Sequence, residues 1–207
     1  MKFFNSIGPN PRAVRMFILE KELSIPFQEV DILAAENRKP EFVEKNPAGQ
    51  LPLLEMENGE CLAEVVAICE YLDELEGGNG KRLMGETAEE RALTRMWTRR
   101  VDLNVIQPIT LGFRYGEGAD FFAGKEPIFK DSSANMKELA QIKLEWLNGL
   151  LGDNEFICGD RFTLADILLY SFLDFAAGVG QPLNPSFTNI AALMARVAER
   201  PSAQGSA

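Results

Sequence analysis

The apolar positions of this chain switch between a period of two and a period of about 3.6, and each switch predicts an element. Phe3 and Phe4 belong to a short strand over residues 2–5. A turn through Ser6 then leads into a helix with Asn10 as N-cap and Pro11 at the first helical position, where a missing N–H costs nothing. Val14, Phe17 and Ile18 form its buried face, leaving Arg12, Arg15, Glu20 and Lys21 to water. Residues 26–32 alternate imperfectly and predict a second strand, parallel to the first across a β-α-β crossover. A polar stretch follows, with a short helix over 41–45. Leu53 and Leu54 open a strand that turns at Asn58-Gly59, the strongest two-residue hairpin signal, and returns through Cys61 and Leu62. From Glu64 the period lengthens, with Val66, Ile68, Cys69, Leu72 and Leu75 on one helical stripe.

Residues 76–86 (EGGNGKRLMGE) are glycine-rich and mark a boundary, after which only helices are predicted. Thr87 and Glu90 form a capping box opening a helix through Leu93, Met96, Trp97, Val101 and Val105, which Pro108 should kink or end. Residues 116–131 lack a clear period and read as loop. Residues 132–151 are strongly amphipathic and stop at Gly152. Thr163 and Asp166 form a second capping box before a helix apolar nearly all round, the predicted centre of this half. A last helix over 186–199 ends at Pro201.

Composition narrows the function. A formal net charge of −10 leaves no basic excess to neutralise phosphates, which argues against nucleic-acid binding. The absence of histidine removes mechanisms that need an imidazole base or ligand, including most hydrolase triads and zinc enzymes. Cys61, Cys69 and Cys158 lack metal-ligand spacing and read as free thiols of a reducing cytoplasm. Neither a signal-peptide core nor a membrane-length apolar run is apparent, so no membrane partner is expected.

The chemistry concentrates around Leu51-Pro52. Proline ahead of a strand removes one donor and holds Leu51 extended, leaving the Leu51 N–H and C=O for another partner. Here a hairpin edge, the Leu51 backbone and the start of the next helix should converge, which suits a small extended peptide carrying a carboxylate.

Asn46, Pro47, Gly49, Pro52 and Leu54, the Asn58-Gly59 turn, and then Leu62, Glu64, Ala67, Ile68, Tyr71 and Leu72 resemble the glutathione-binding half of the glutathione transferase family. The order of elements is similar over nearly the whole chain. The resemblance implies an α/β plus all-α fold: a thioredoxin-like N-terminal domain (1–76), a linker (77–86) and an all-helical C-terminal domain (87–207) forming the second-substrate side. It also implies a homodimer using glutathione as co-substrate without a metal. The Thr163 capping box is similar to a folding motif of the family's helical domain, which makes it structural.

Glutathione offers two carboxylates, an ammonium and a thiol with a pKa near 8.5–9; lowering that value by about two units takes about 2.7 kcal/mol of preferential thiolate stabilisation. The resemblance implies strand-like pairing of the cysteinyl part with Leu51, before a proline that is cis in the family. Glu64 would meet the ammonium or cap the helix. Val65 would offer only its N–H to the γ-glutamyl carboxylate, where most relatives have serine. Lys39 or Arg38 would take the glycyl carboxylate, supported by Gln50. No tyrosine or cysteine precedes the first helix, so Asn10, Ser6 or the helix N–H groups must serve the thiol. Ile7, Phe113, Tyr115, Phe121 and Phe122 would wall the second substrate, with Tyr115 as phenolic donor, while Arg99, Arg100 and Asp102 would tie domains or subunits. The function implied is conjugation of the thiolate to a small hydrophobic electrophile. Peroxidase, isomerase or dehalogenase chemistry on the same site, or a non-catalytic binding module, are the alternatives.

Overall fold

A computed structural model describes residues 1–75 and 78–207. The chain divides into two compact units, Met1–Thr87 with Glu199–Ala207, and Ala88–Ala198. Part of the glycine-rich boundary, residues 76 and 77, lies outside the described residues.

The first unit carries a four-stranded sheet in the order β2-β1-β3-β4, built from β1 (Lys2–Asn5), β2 (Phe27–Glu29), β3 (Leu53–Glu55) and β4 (Cys61–Ala63). β1 runs parallel to β2 and antiparallel to β3, and β3 is antiparallel to β4. Phe3, Leu53 and Leu54 are fully buried, as central strands require. β2 is shorter than the alternation predicts. The Asp31 carboxylate accepts the N–H groups of Leu33 and Ala34, and that turn ends the strand. The hairpin closes at Asn58-Gly59, with Gly59 at φ 85°.

α1 (Pro9–Glu20) begins two positions earlier than predicted. Gly8, at φ 105°, is the N-cap, and Pro9 rather than Pro11 takes the first helical position. Either proline fits that place, and the freedom of Gly8 decides between them. Two residues expected in water are buried. Glu20 meets Arg200 and Ser202, and Lys21 meets the Asp73 carboxylate at 3.3 Å and the Lys81 carbonyl at 2.6 Å. A short α2 (Pro40–Val43) and then α3 (Val65–Glu74) complete this part. Pro201 does not finish the fold, because it opens α10 (Pro201–Gly205). By its contacts Glu199–Ala207 packs with the first unit, although the sequence division left it with the helical half.

The second unit is helical: α4 (Ala88–Val101), α5 (Gln107–Tyr115), α6 (Ala119–Phe122), α7 (Ser133–Leu151), α8 (Leu164–Gly178) and α9 (Thr188–Ala198). Between α4 and α5, Asp102–Ile106 widens into a π-helical stretch, so Pro108 enters α5 without ending the run. α6 forms inside the predicted loop, where Phe122 stacks edge-on against Phe113 at 6.2 Å and Phe121 at 5.0 Å. α8 is buried along most of its length and carries the Thr163–Asp166 capping box. Among the described residues no helix is long and apolar enough to cross a membrane.

Candidate functional site

The sheet register decides what meets at one end of the first unit. Phe4 pairs with Leu53, and Leu53 with Ala63. The exit of β1 into α1, the entry to β3 at Leu51-Pro52, and the exit of β4 into α3 therefore share one end of the sheet. The parallel partner β2 brings the loop before Arg38 and Lys39 off that same end.

Leu51 is where a ligand's main chain could attach. Its side chain packs against Phe4, Val30, Phe42 and Leu53. The loop before it is pinned at each carbonyl: Arg38 Nη1 donates to Ala48 O (3.2 Å), Asn37 Nδ2 to Gly49 O (2.7 Å) and Asn46 Nδ2 to Gln50 O (2.8 Å). The Leu51 N–H and C=O have no partner among the described residues. The Leu51-Pro52 peptide is cis. Gln50 itself projects its side chain outward.

The two helix starts differ. In α3, Val65, Val66 and Ala67 keep their first-turn N–H groups, and Ile68 N–H closes the turn onto Glu64 O at 2.9 Å. Val65 is buried, so its side chain offers this turn nothing polar. Glu64 sits at the N-cap with φ 71° and makes no side-chain capping bond, leaving its exposed carboxylate without a partner among the described residues. In α1, Pro9 and Pro11 both lack an N–H, so Asn10 carries the single amide of the first three helical positions. Asn10 is exposed and does not cap the helix; its side-chain amide has no partner among the described residues.

Ser6, at the exit of β1, already has a partner for its hydroxyl proton. Its buried hydroxyl donates to Val30 O at 2.7 Å, tying the exit of β1 to that of β2. Arg38 is likewise committed to the loop. Lys39 is exposed, with a 3.5 Å contact to Glu36 that an exposed pair gives up at little cost. Ile7 is 60% exposed.

The remaining residues of interest belong to the helical unit. Tyr115 is half-buried, its ring edge-on to Phe129 at 5.5 Å, and its hydroxyl has no partner among the described residues. Phe113 stacks on Phe175 at 5.0 Å. Arg99 lies 3.6 Å from Asp102, and Arg100 covers the Trp97 ring.

Three residues of this region escape the sequence pattern. Gly8 is hidden by the better capping residue two places on. Asn37 pins Gly49 from within a polar run without period. Arg15 looks like a solvent-facing helical arginine but is half-buried.

A mixed four-stranded sheet with two helix starts and an X–cis-Pro segment at one end, followed along the chain by an all-helical unit, defines the thioredoxin-like plus helical class. The model "Glutathione S-transferase, N-terminal domain" matches residues 1–74, and "Glutathione S-transferase, C-terminal domain" matches residues 101–201. This chain belongs to the glutathione S-transferase family. Glutathione S-transferase 2 of Saccharomyces cerevisiae is 30% identical, the match covering 94% of this chain and 84% of that protein. The crystal structure of a glutathione S-transferase domain-containing protein of Marinobacter aquaeolei superposes with a TM-score of 0.89 at 36% identity, covering 98% of this chain and 99% of that one. Human elongation factor 1-gamma is 32% identical over 73% of this chain, a match that takes in 31% of the larger protein.

Proposed function

We propose that this protein is a glutathione transferase, joining the glutathione thiolate to a small hydrophobic electrophile. One observation carries the reading: Leu51 is anchored in the core by its side chain while its N–H and C=O, beside two helix starts, have no partner among the described residues. Glutathione's cysteinyl main chain would add to Leu51 as a short strand beside Pro52. Its γ-glutamyl carboxylate would take the N–H groups of Val65, Val66 and Ala67, and its ammonium would pair with Glu64. Lys39 is free to swing from Glu36 to the glycyl carboxylate. Arg38 and Gln50 then act indirectly, by shaping the loop that presents Leu51.

The thiol would lie against the first turn of α1. With Ser6 spent on Val30 O, the donors are the Asn10 N–H and its side-chain amide, helped by the helix dipole. The S–H proton leaves to solvent, and the thiolate forms a bond to the electrophilic carbon as the leaving group departs with its electron pair. The protein contributes ionisation and orientation. Tyr115 is the proposed donor toward the second substrate. We also propose a cytoplasmic homodimer. The exposed apolar residues Leu93, Met96 and Leu103 support self-association, and a mass of one chain by light scattering would refute it.

A non-catalytic binding module is favoured by one observation. Val65 lacks a hydroxyl for the γ-glutamyl carboxylate, and a lost hydrogen bond to a charge costs about 1.5–3 kcal/mol. Titration with glutathione, following thiolate absorbance and the fluorescence of Trp97 and Trp146, separates the readings once an aryl halide is added. Binding with ionisation and turnover supports the transferase, and binding with an unshifted thiol supports the module. Absence of binding at millimolar glutathione removes both. Turnover of a hydroperoxide or an isomerisable substrate in place of the halide would move the chemistry to peroxidase or isomerase.

A further inference from the structure

Arg15 joins two parts of the first unit that the sequence keeps far apart. Its Nη1 donates to Asn5 Oδ1 at 2.7 Å and to Ser6 O at 2.9 Å. Its Nε and Nη2 both donate to Ser206 O, at 3.2 and 2.8 Å. Asn5 passes the contact on to Glu29 Oε1 at 2.6 Å. Ser206 is buried, and its N–H donates to Ser202 O at 3.0 Å. A single rigid guanidinium thus bridges the exit of β1 and the carbonyl end of α10. Those carbonyls lack helical partners of their own and need a donor.

The bridge reaches the turn that carries Asn10. Ser6 O belongs to the peptide leading to Ile7 and the Gly8 cap, and the Cβ position of Gly8 meets no atom within 4 Å. On the helix side the Gly8 carbonyl accepts the Arg12 N–H at 3.2 Å, and on the β1 side the turn is held through the hydrogen bonds at Ser6. Two of these fix it: the hydroxyl to Val30 O, and Arg15 to the carbonyl. We infer that Arg15 is a positioning residue for thiol ionisation, and that residues 201–206 act through it on the turn carrying Asn10. The inference rests on the transferase reading. Burial lowers the Arg15 pKa, with Glu29 opposing, but a guanidinium stays charged at neutral pH and the bridge persists. A lysine cannot replace it, because an ammonium lacks the planar fork that meets three acceptors at once.

The full-length variants Arg15→Lys and Glu20→Gln test this, the second loosening Arg200 and Ser202 at the start of α10 without touching Arg15. Bound-thiol pKa by absorbance, KM and kcat with an aryl halide, and melting temperature are measured on each. In Arg15→Lys, KM for glutathione should stay within about twofold while kcat falls about tenfold or more, since small misplacements at reacting groups are costly. The bound-thiol pKa should rise by about one unit, the equivalent shift. Glu20→Gln should move both quantities the same way by less. Unchanged thiol pKa and kcat in both variants, whatever their melting temperatures, overturn the inference. A shift in Arg15→Lys alone keeps the Arg15 half and overturns the role of residues 201–206. Wild-type protein that binds glutathione without ionising it fails the transferase reading itself, before any variant is made, and removes this inference with it.

Discussion

Arg200 holds Glu20 with two parallel hydrogen bonds, Nε to one carboxylate oxygen and Nη2 to the other, each 2.8 Å. Ser202 donates its hydroxyl to the same carboxylate, and Lys81 stands 3.9 Å away. Burial alone would raise the Glu20 pKa. The bonds from Arg200 and Ser202, with the charges of Arg200 and Lys81, outweigh it and hold the carboxyl below its ordinary value of 4.5. A depressed carboxylate stabilises the fold above its unfolded pKa and stops doing so as pH falls through the folded one.

The first unit should therefore lose stability on acidification below about pH 4.5, and Glu20→Ala should remove that part of the acid dependence. At pH 7 the same variant removes the carboxylate that Arg200 and Ser202 meet. Breaking a buried pair costs about 3–5 kcal/mol, and the partial exposure of Arg200 points to the lower end. Urea denaturation of both proteins at pH 7 and pH 4 measures each part. A wild-type loss that Glu20→Ala reproduces in full would assign the acid sensitivity elsewhere.

Asp166 predicts the opposite slope. It accepts hydrogen bonds from Ile157 N–H (2.8 Å), Thr163 N–H (2.8 Å) and the Thr163 hydroxyl (3.1 Å). Burial is the larger effect and raises its pKa from 3.8 to about 6. Between those values the unfolded chain has released a proton that the folded chain keeps, so raising the pH destabilises the fold across that window. The total is about 3 kcal/mol, flattening above about pH 6. Asp166→Asn cannot ionise, so its stability relative to wild type should improve from pH 4 to pH 6.5. A difference that stays level across that range would place the carboxyl's folded pKa near its unfolded one.

Features written in neighbouring residues were legible without coordinates. The Asn58-Gly59 hairpin and the Thr163–Asp166 box are set by local turn and capping chemistry, and each stands in the structure. What was missed depends on distant partners. Glu20 and Lys21 look like wet helical charges, because Arg200 and Asp73, which bury them, lie 180 and 52 residues away. α6 hides in an aperiodic stretch because the Phe113 and Phe121 rings stabilise it, where periodicity has nothing to report. At the site, Asn10 and Ser6 were both candidates in the sequence, Asn10 ahead of Ser6. Their surroundings differ by the bond from Ser6 to Val30 O, made across the sheet.

That distinction is testable by single substitution. Ser6→Ala leaves the Val30 carbonyl without its donor and should cost about 1–3 kcal/mol of stability, with the thiol pKa of bound glutathione nearly unchanged. Asn10→Ala should leave stability within about 0.5 kcal/mol, since the side chain is exposed and caps nothing. It should nevertheless raise the bound-thiol pKa, the backbone N–H alone remaining. Absorbance titration of the complexes and thermal melts decide the matter. The reverse pattern would return Ser6 to the chemistry and leave Asn10 as a surface residue.

Glu64 should trade stability for binding. Its φ of 71° is a left-handed conformation that costs a non-glycine residue about 1–3 kcal/mol, and no side-chain capping bond offsets it. Glycine adopts that φ without strain but gives up more chain entropy, about 0.5–1 kcal/mol. Glu64→Gly should therefore be as stable as wild type or slightly more so. Glutathione affinity should fall roughly tenfold or more, because the γ-glutamyl ammonium loses a charge-assisted partner. Glu64→Gln, which keeps the strain and removes the charge, should bind as weakly as Glu64→Gly without its gain in stability. Calorimetric titration with glutathione and denaturant midpoints for the three proteins test both halves. Equal affinity in all three would mean the exposed carboxylate has no part in holding the ligand, and the strain at Glu64 would then need another explanation.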